Sequence, residues 1–450
     1  MVENIFRRRD LLCGAGAALV AGSATARAAS ADVDLQRLAE DAAIWGLPLV
    51  QTGRYLALAR ARGVQMNRFL LDQALATPSL LIPAPNVDTI YGLAWLDLSR
   101  GPVVLEVPDA GNRYYAIQFI DAYENTFAYV GKRATGGRAG SYLIAEGSWH
   151  GAGQPPSAKR IDAPTSAVLL LARTLVANPA DLATAQALQS AYTLSPLSSY
   201  PAQKTAGVVK ANALEILPRL ELGGSGPQYF SDLDRLVSQF PPRGQETIAF
   251  ARFAPLGLGA GFSQQSPLPP AALQTALENA LRRVKAVNVA EDNDGWRVNY
   301  NITSFIADPL IRAGVDQFGP GGNIAEEALY FTASHDSDGA PLDGSSRYSI
   351  TFAAGHLPPV HAFWSLILYD ADYHLYDNPT DRYAINDRTE GIEFGTDGSL
   401  RIIIQHRMPS RMANWLPAPR GAFRLILRTY QPSAALLSRQ YRVPPIIAES

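Results

Sequence analysis

PAPNVDTIYGLAWLDLSRGPVVLEVPDAGNRYYAIQFI, residues 83–120, decides how the chain folds. Its apolar and aromatic residues fall into three short runs, Ile90–Leu98, Val103–Val107 and Tyr114–Ile120. They are rich in the β-branched and aromatic side chains that suit a pleated surface. Gly101-Pro102, Pro108-Asp109 and Gly111-Asn112 punctuate them. Strands this short and closely spaced belong in an antiparallel sandwich or jelly roll, not in a doubly wound sheet.

Working outward, Tyr142–Ala145 and Ala167–Val176 read as further strands, and Pro179–Tyr192 as a helix opened by Asn178 and Pro179. Upstream, apolar residues from Asp34 to Arg62 recur at helical spacing that is interrupted near Gly46-Leu47-Pro48, which predicts a kinked helix or two helices in line. Asn67–Ala76 reads as one more helical piece, stopped by Pro78. Between Ser195 and Asp294 the Pro, Gly and Gln clusters alternate with helical stretches at Tyr229–Gln239 and Ala271–Val287, the pattern of a connector. Strands return at Leu329–Ala333, Tyr348–Ala353, Phe363–Asp370, Arg401–Gln405 and Ala422–Tyr430, with turn signals at Asp338-Gly339, Asp343-Gly344 and Asp397-Gly398.

The expected fold is therefore mainly β with helical segments: two β-sandwich or jelly-roll-like domains joined by a helical connector. The boundaries follow as residues 1–28 signal peptide, 29–194 N-terminal helices with the first β-domain, 195–294 connector and 295–450 second β-domain. Single cores stop growing at about 250–300 residues, so a chain of this length implies two. A short echo links the halves: Phe119-Ile120-Asp121-Ala122 and Leu368-Tyr369-Asp370-Ala371 each close an aromatic-rich strand, as a duplication would leave them.

The N-terminus has the form of an export signal. Arg8-Arg9 precede Asp10-Leu11-Leu12 and a mild apolar run to Ala24, and Ala26-Arg27-Ala28 offers a small-x-small cleavage site. This predicts twin-arginine export to the periplasm or the medium and cleavage after Ala28. The apolar run is shorter than the ~20 residues that span a bilayer, so an uncleaved anchor is the weaker alternative. Cys13, the only cysteine, lies in the signal and leaves the mature chain without a disulfide or thiolate ligand. Removing residues 1–28 leaves 35 basic and 39 acidic residues, a balance that argues against a phosphate-backbone partner, which would demand a basic face.

No Gly-x-Ser-x-Gly elbow, Walker loop or His-Glu-x-x-His helix occurs. The loop Pro83–Tyr91 places Asn86, Asp88 and Thr89 on a proline-stiffened approach to a strand, where Asp88 would serve as acid or base and Asn86 as a donor to substrate oxygen. The structural alternative is that Asp88 and Thr89 cap the strand entrance. Asp121, Tyr123 and Glu124 follow the next strand, and paired carboxylates suit glycosidic or ester chemistry; solvated strand-end residues are the plainer reading. His406 shares a strand face with Ile402 and Ile404, as a satisfied imidazole or as a general base. His356, His361 and His374 match no standard ligand spacing, so no metal and no cofactor is expected.

PNVDTIY, LDLSRGPVVLEVPD, RYYAIQFIDAY and the RATGG turn resemble the bacterial domain of unknown function 1254. DGAPLDG, LPPVHAFWSLILYDAD, NPTDRYAINDRT, DGSLRIIIQH and NWLPAP resemble its usual partner, domain 1214. The resemblance implies two β-sandwich-like domains with a helical insert in a secreted protein. It carries over Asn86, Asp88, Tyr91, Gln118, Asp121, Trp364, Asp370, Arg388, Gln405, His406, Asn414 and Trp415 as motif positions. His356 and His361 depart from the family pattern, which weakens a metal site further.

Two functions fit. The first is a metal-independent hydrolase or lyase acting on a neutral, oxygen-rich carbohydrate or ester, with Asp88, His406 and Asn86 catalytic and Tyr91, Asp121, Glu124, Trp364, Arg388, Gln405 and Trp415 holding substrate. The second is a non-catalytic periplasmic protein that binds a small ligand or a partner through the same groups. A common pocket is expected to join Asp88 to His406 or Trp415.

Overall fold

The computed structural model describes residues 10–210, 213–218, 224–262 and 266–449. Arg8 and Arg9, which carry the twin-arginine reading, lie outside the described residues. Among the described residues no helix is long and apolar enough to cross a membrane. The chain is mainly β, with four sheets and helical segments between the two β-halves. It divides into two compact units, Met1–Val50 with Leu222–Ala286 and Gln51–Glu221 with Val287–Ser450.

The smaller unit is helical. Helix α1, Asp10–Ala61, passes through Pro48 as one helix, the first of the two expected arrangements and not a pair of helices in line. At Gly46 a Cβ would lie 2.4 Å from a Leu233 methyl, so any larger residue there displaces the buried Leu233 side chain. The helices Gly226–Gln239 and Pro270–Ala286 bury Leu233, Leu236, Leu273 and Leu277. Trp45 Nε1 donates to Glu246 at 2.7 Å, and the Tyr229 hydroxyl donates to the Ala43 carbonyl at 2.7 Å.

The larger unit holds all the sheets. Its first half contributes eight main strands: β1 Thr89–Asp97, β2 Val103–Val107, β3 Tyr115–Ile120, β4 Thr126–Gly131, β5 Gly140–Glu146, β6 Ala158–Ala163, β7 Ala167–Leu175 and β8 Thr193–Pro196. The second half contributes eight more: β9 Ala328–Ala333, β10 Arg347–Phe352, β11 Val360–Asp370, β12 Ala384–Asn386, β13 Leu400–Gln405, β14 Trp415–Pro417, β15 Phe423–Pro432 and β16 Ile447–Glu449. Sheet I runs β1-β7-β3-β4 and sheet II β8-β2-β5-β6; sheet III runs β9-β15-β11-β12 and sheet IV β16-β10-β13-β14. Strand for strand the order is the same in both halves. The pairing sense repeats too, since β5·β6 and β13·β14 are the parallel pairs in otherwise antiparallel sets. The short echo in the sequence thus marks a complete topological duplication.

Alternation along the strands builds three apolar layers. Leu96, Ile117, Phe119, Val168 and Leu170 point between sheets I and II. Trp364, Leu366, Leu368, Leu425 and Leu427 point between sheets III and IV. The residues in between point the other way, where sheet I backs onto sheet III: Tyr114, Ala116 and Tyr129 meet Ala328, Phe363 and Tyr430. There the Phe363 and Tyr430 rings stack at 4.2 Å, and Tyr114 stands edge-on to both.

Asn67–Ala76 is not helical. Asn67 adopts φ 58° and exchanges hydrogen bonds with the Asp97 backbone, while Leu70–Leu71 forms a two-residue strand beside β1. Sheet pairing outweighs a weak helical pattern here.

At Gly344 two backbones touch: its amide donates to Gly421 at 3.0 Å, and a Cβ would lie 1.7 Å from the Pro419 carbonyl oxygen. Gly344→Ala is expected to lower stability by at least about 2 kcal/mol in urea unfolding, because backbone cannot yield as a side chain does.

Candidate functional site

The residues nominated for chemistry converge, in part, where sheet I backs onto sheet III. Each sheet carries an arginine in the middle of an apolar strand, next to a tyrosine directly across the ladder: Arg173 beside Tyr91, and Arg428 beside Tyr330. The strands correspond in the duplication, so the Tyr–Arg pair occurs twice. Both arginines are buried. Arg173 donates to Gln118 Oε1 at 2.9 Å, Asn323 Oδ1 at 3.1 Å and the Gly321 carbonyl at 2.7 Å. Arg428 donates to the Ala84 carbonyl at 2.7 Å and to the Tyr369 hydroxyl at 2.9 Å.

The proline-stiffened loop enters this layer from the edge of β1 and is clamped by the second half. Tyr369 donates to the Pro85 carbonyl, and Asn86 Nδ2 donates to the Tyr430 hydroxyl at 2.6 Å. Asn86 makes the Asx turn, accepting from the Asp88 amide at 2.7 Å, so capping falls to Asn86. The Asp88 carboxylate instead reaches across to Arg388 at 2.7 Å and accepts from Asn386 at 3.1 Å. Asp88 is 2% exposed. Burial pushes its pKa up, opposed first by Arg388 and then more weakly by Ser365, although Asp88 Oδ2 and Ser365 Oγ stop short of a hydrogen bond. Arg388 also bonds Asp387 and lies 4.5 Å from the Phe363 ring centroid. Oδ1 of Asp88 is thus held by Arg388 and Asn386, while Oδ2 is buried without a hydrogen-bond partner.

A second polar cluster lies at the end of β3. Asp121 folds the chain back on itself: its Oδ1 accepts from the Tyr123 and Asn125 amides at 2.9 Å. The turn forces Glu124 to φ 64°, a conformation that costs energy for a non-glycine residue and concentrates at functional sites. Asp370 builds the same turn in the second half, accepting from Asp372 and His374, with Tyr373 at φ 66° in the place of Glu124. Glu124 Oε1 accepts from the Gly321 amide at 2.7 Å. Gly321 thus bridges the clusters, its carbonyl facing Arg173 and its amide Glu124.

Glu124, Asn125, Thr126, Thr303 and Arg312 line a cavity of about 20 Å³, room for a single water. Burial pushes the Glu124 carboxyl up to about 7, the Gly321 amide opposes this, and Asp121 adds to the rise. Asp316 is 1% exposed, and burial followed by the charge of Glu124 holds its carboxyl well above the usual range. Gln51 donates to Asp316 Oδ1 at 3.4 Å.

The expected pocket joining Asp88 to His406 or Trp415 does not form. His406 follows β13 in sheet IV, where its Nδ1 meets the Ala418 carbonyl at 2.9 Å and Arg420 Nε donates to its Nε2 at 3.1 Å. Trp415 donates to the Gln405 carbonyl in the same sheet, and Gln405 donates to the Arg407 carbonyl. Trp364 is buried against Phe352 in the second core. The physical reason is alternation: Trp364 and its neighbours Phe363 and Ser365 occupy opposite faces of β11, and only the latter two face sheet I. Among the described residues no group of three or more His, Cys, Asp or Glu side chains could hold a metal ion.

Arg173, Arg428, Tyr330, Tyr430, Asn323, Arg312 and Asp316 were not singled out by sequence. One signal was available: an arginine-threonine pair recurs in two apolar strands, Arg173-Thr174 in AVLLLARTL and Arg428-Thr429 in FRLILRTYQP.

Models of two protein families match the chain, the protein of unknown function family 1254 at residues 66–196 and family 1214 at residues 327–434. No curated protein matches. Among solved structures, the VPA0106 protein from Vibrio parahaemolyticus is similar at a TM-score of 0.71 and 23% identity, over 92% of this chain and 100% of that one. An uncharacterized protein from Burkholderia cenocepacia aligns at a TM-score of 0.42 and 12% identity, over 93% and 96% of the two chains. The first likeness shows a shared fold.

The Asp88–Arg388 pair makes a direct prediction. Removing one partner of a buried ion pair leaves the other uncompensated, at a cost of about 3–5 kcal/mol. Asp88→Asn and Arg388→Met are each expected to destabilise by that order, and the double variant by clearly less than their sum, in a urea-denaturation double-mutant cycle.

Proposed function

We propose that this chain, in which domain 1254 is followed by domain 1214, is an exported hydrolase or lyase whose acid–base group is Glu124 and whose substrate is a small, oxygen-rich ester or carbohydrate. The observation that carries the reading is a carboxyl poised near neutrality at a cavity the size of one water. General acid–base groups work best when their pKa lies near the working pH. As base, Glu124 takes a proton from the cavity water while the water oxygen adds to the ester carbonyl carbon; as the tetrahedral intermediate collapses and its C–O bond to the alcohol breaks, Glu124 gives that proton to the departing alkoxide oxygen. Beside it, burial and the charge of Glu124 push the Asp316 carboxyl upward, and Arg312 opposes them. Asn125, Thr303 and Arg312 supply donors to substrate oxygens on the lining of the same cavity.

The size of the cavity also favours a second reading. It does not hold a sugar ring, so a protein that binds its ligand without turning it over remains the alternative. A panel of esters and glycosides tests the choice. Turnover rising with pH around 7, and reduced about 10²–10⁴-fold in Glu124→Gln, is the expected result. Recovery of every compound unchanged at all pH values would leave only the binding role.

Glu124 also sets a stability window. Its folded pKa of about 7 lies above the ordinary glutamate value of about 4.3, so the folded state holds more protons between those values. Stability is expected to fall as pH rises from about 4.3 to about 7. Glu124→Gln should make that slope shallower in thermal unfolding scans, most of all between about pH 6 and 7, since Asp72 and Asp387, pushed up to about 6, contribute the same sign at lower pH.

Export is tested at the other end of the chain. Arg8→Lys with Arg9→Lys is expected to hold the protein in the cytoplasm, because the twin-arginine route reads guanidinium groups and not charge alone. Wild-type protein from the periplasm should begin at Ala29 on N-terminal sequencing.

A further inference from the structure

We propose that the doubled Tyr–Arg pair between sheets I and III is a binding site for a small organic carboxylate, separate from the Glu124 cavity. Arg173 and Arg428 are 5% and 7% exposed, yet neither forms an ion pair; every acceptor they meet is a neutral amide, carbonyl or hydroxyl. A buried charge without a counter-charge in contact is costly, and side chains of opposite sign normally meet it; Arg428 has only Asp88, which it reaches through space and which is bonded to Arg388. Here the nearby carboxylates are already engaged. Asp88 is held by Arg388, and Glu327 is held by Arg133 and by the Tyr114 hydroxyl. The layer therefore contains more guanidinium than carboxylate, and Arg428 Nε is buried with no acceptor.

The two guanidiniums lie in one neighbourhood. Arg173 lies over the Tyr91 ring at 5.8 Å and Arg428 over the Tyr330 ring at 5.4 Å. Asn323 joins the two pairs, accepting from Arg173 and donating to the Tyr330 hydroxyl at 2.9 Å. Tyr91 and Tyr330 are only half-buried, which makes them the way in from solvent. A single carboxylate supplies what the layer lacks: one negative charge and two acceptor oxygens for guanidinium N–H groups. An inorganic phosphate would bring up to two charges and a tetrahedral shell of oxygens into the same confined space.

The test uses the mature protein with acetate and succinate as carboxylate probes and with sulfate and inorganic phosphate as controls. Isothermal titration calorimetry at constant ionic strength is expected to show saturable binding of a carboxylate, and thermal unfolding a matching rise in Tm. Arg428→Gln should abolish both. Where that variant fails to fold, Tyr91→Phe keeps both arginines and is expected to weaken binding about tenfold, the loss of one hydrogen bond to a charged group. Binding that survives Arg428→Gln and Tyr91→Phe unchanged would overturn the assignment. So would a saturable site for sulfate or phosphate with the same arginine dependence and no carboxylate binding, or no saturable binding of any probe. The outcome is independent of catalysis at Glu124, whose Gln variant should bind the carboxylate as the parent does.

Discussion

Sheets I and III are covered on both faces, and this constraint governs the rest of the molecule. An outer sheet of a sandwich can send alternate residues into water; these two must pack one set against their own core and the other against each other. Apolar side chains such as Phe363 and Tyr430 fill most of the second layer. Where polar side chains enter it, each needs a partner from the opposite half. Hence Asn86 reaches Tyr430, Asp88 reaches Arg388 and Asn386, and Arg173 reaches the Gly321–Asn323 segment. The two β-halves are thus held in register by hydrogen bonds and ion pairs as well as by apolar contact.

Asp88 and Glu124 show how one physical cause yields two roles. Burial pushes both carboxyls upward. Asp88 is met by a guanidinium, which favours its charged form and fixes its position. Glu124 is met by one backbone amide and by the neighbouring carboxyls Asp121 and Asp316, so little holds it charged. The first arrangement ties the two halves together; the second leaves the carboxyl raised to about 7.

The strands were legible because their apolar runs end at glycine and proline turns, and Val103–Val107 begins and ends where the pattern does. The missed strands, such as Ala158–Ala163, are shorter on apolar residues and are recruited by their neighbours. In the site, Asn86, Asp88, Tyr91, Asp121, Glu124 and Arg388 were chosen because polar groups at strand ends stand out. Which of them meet was not legible. Pairing across the layer depends on which face of each strand looks toward the other half, and a shift of one residue, as between Trp364 and Ser365, exchanges core for interface. Arg173 and Arg428 escaped notice because a single charge inside an apolar strand gains meaning only once its counterpart in the other half is recognised.

The repeated strand order has a consequence for assembly. Each half presents to its partner a surface built on the same plan, so during synthesis or refolding the first half can accept the second half of another chain as readily as its own. What favours the correct partner is tethering: the segment between Pro196 and Ala328 keeps the two halves of one chain at a high effective concentration, which bimolecular exchange overcomes only in crowded solution. A reciprocally exchanged dimer would keep every contact of the monomer while two chains supply it, so dilution during refolding favours the closed monomer.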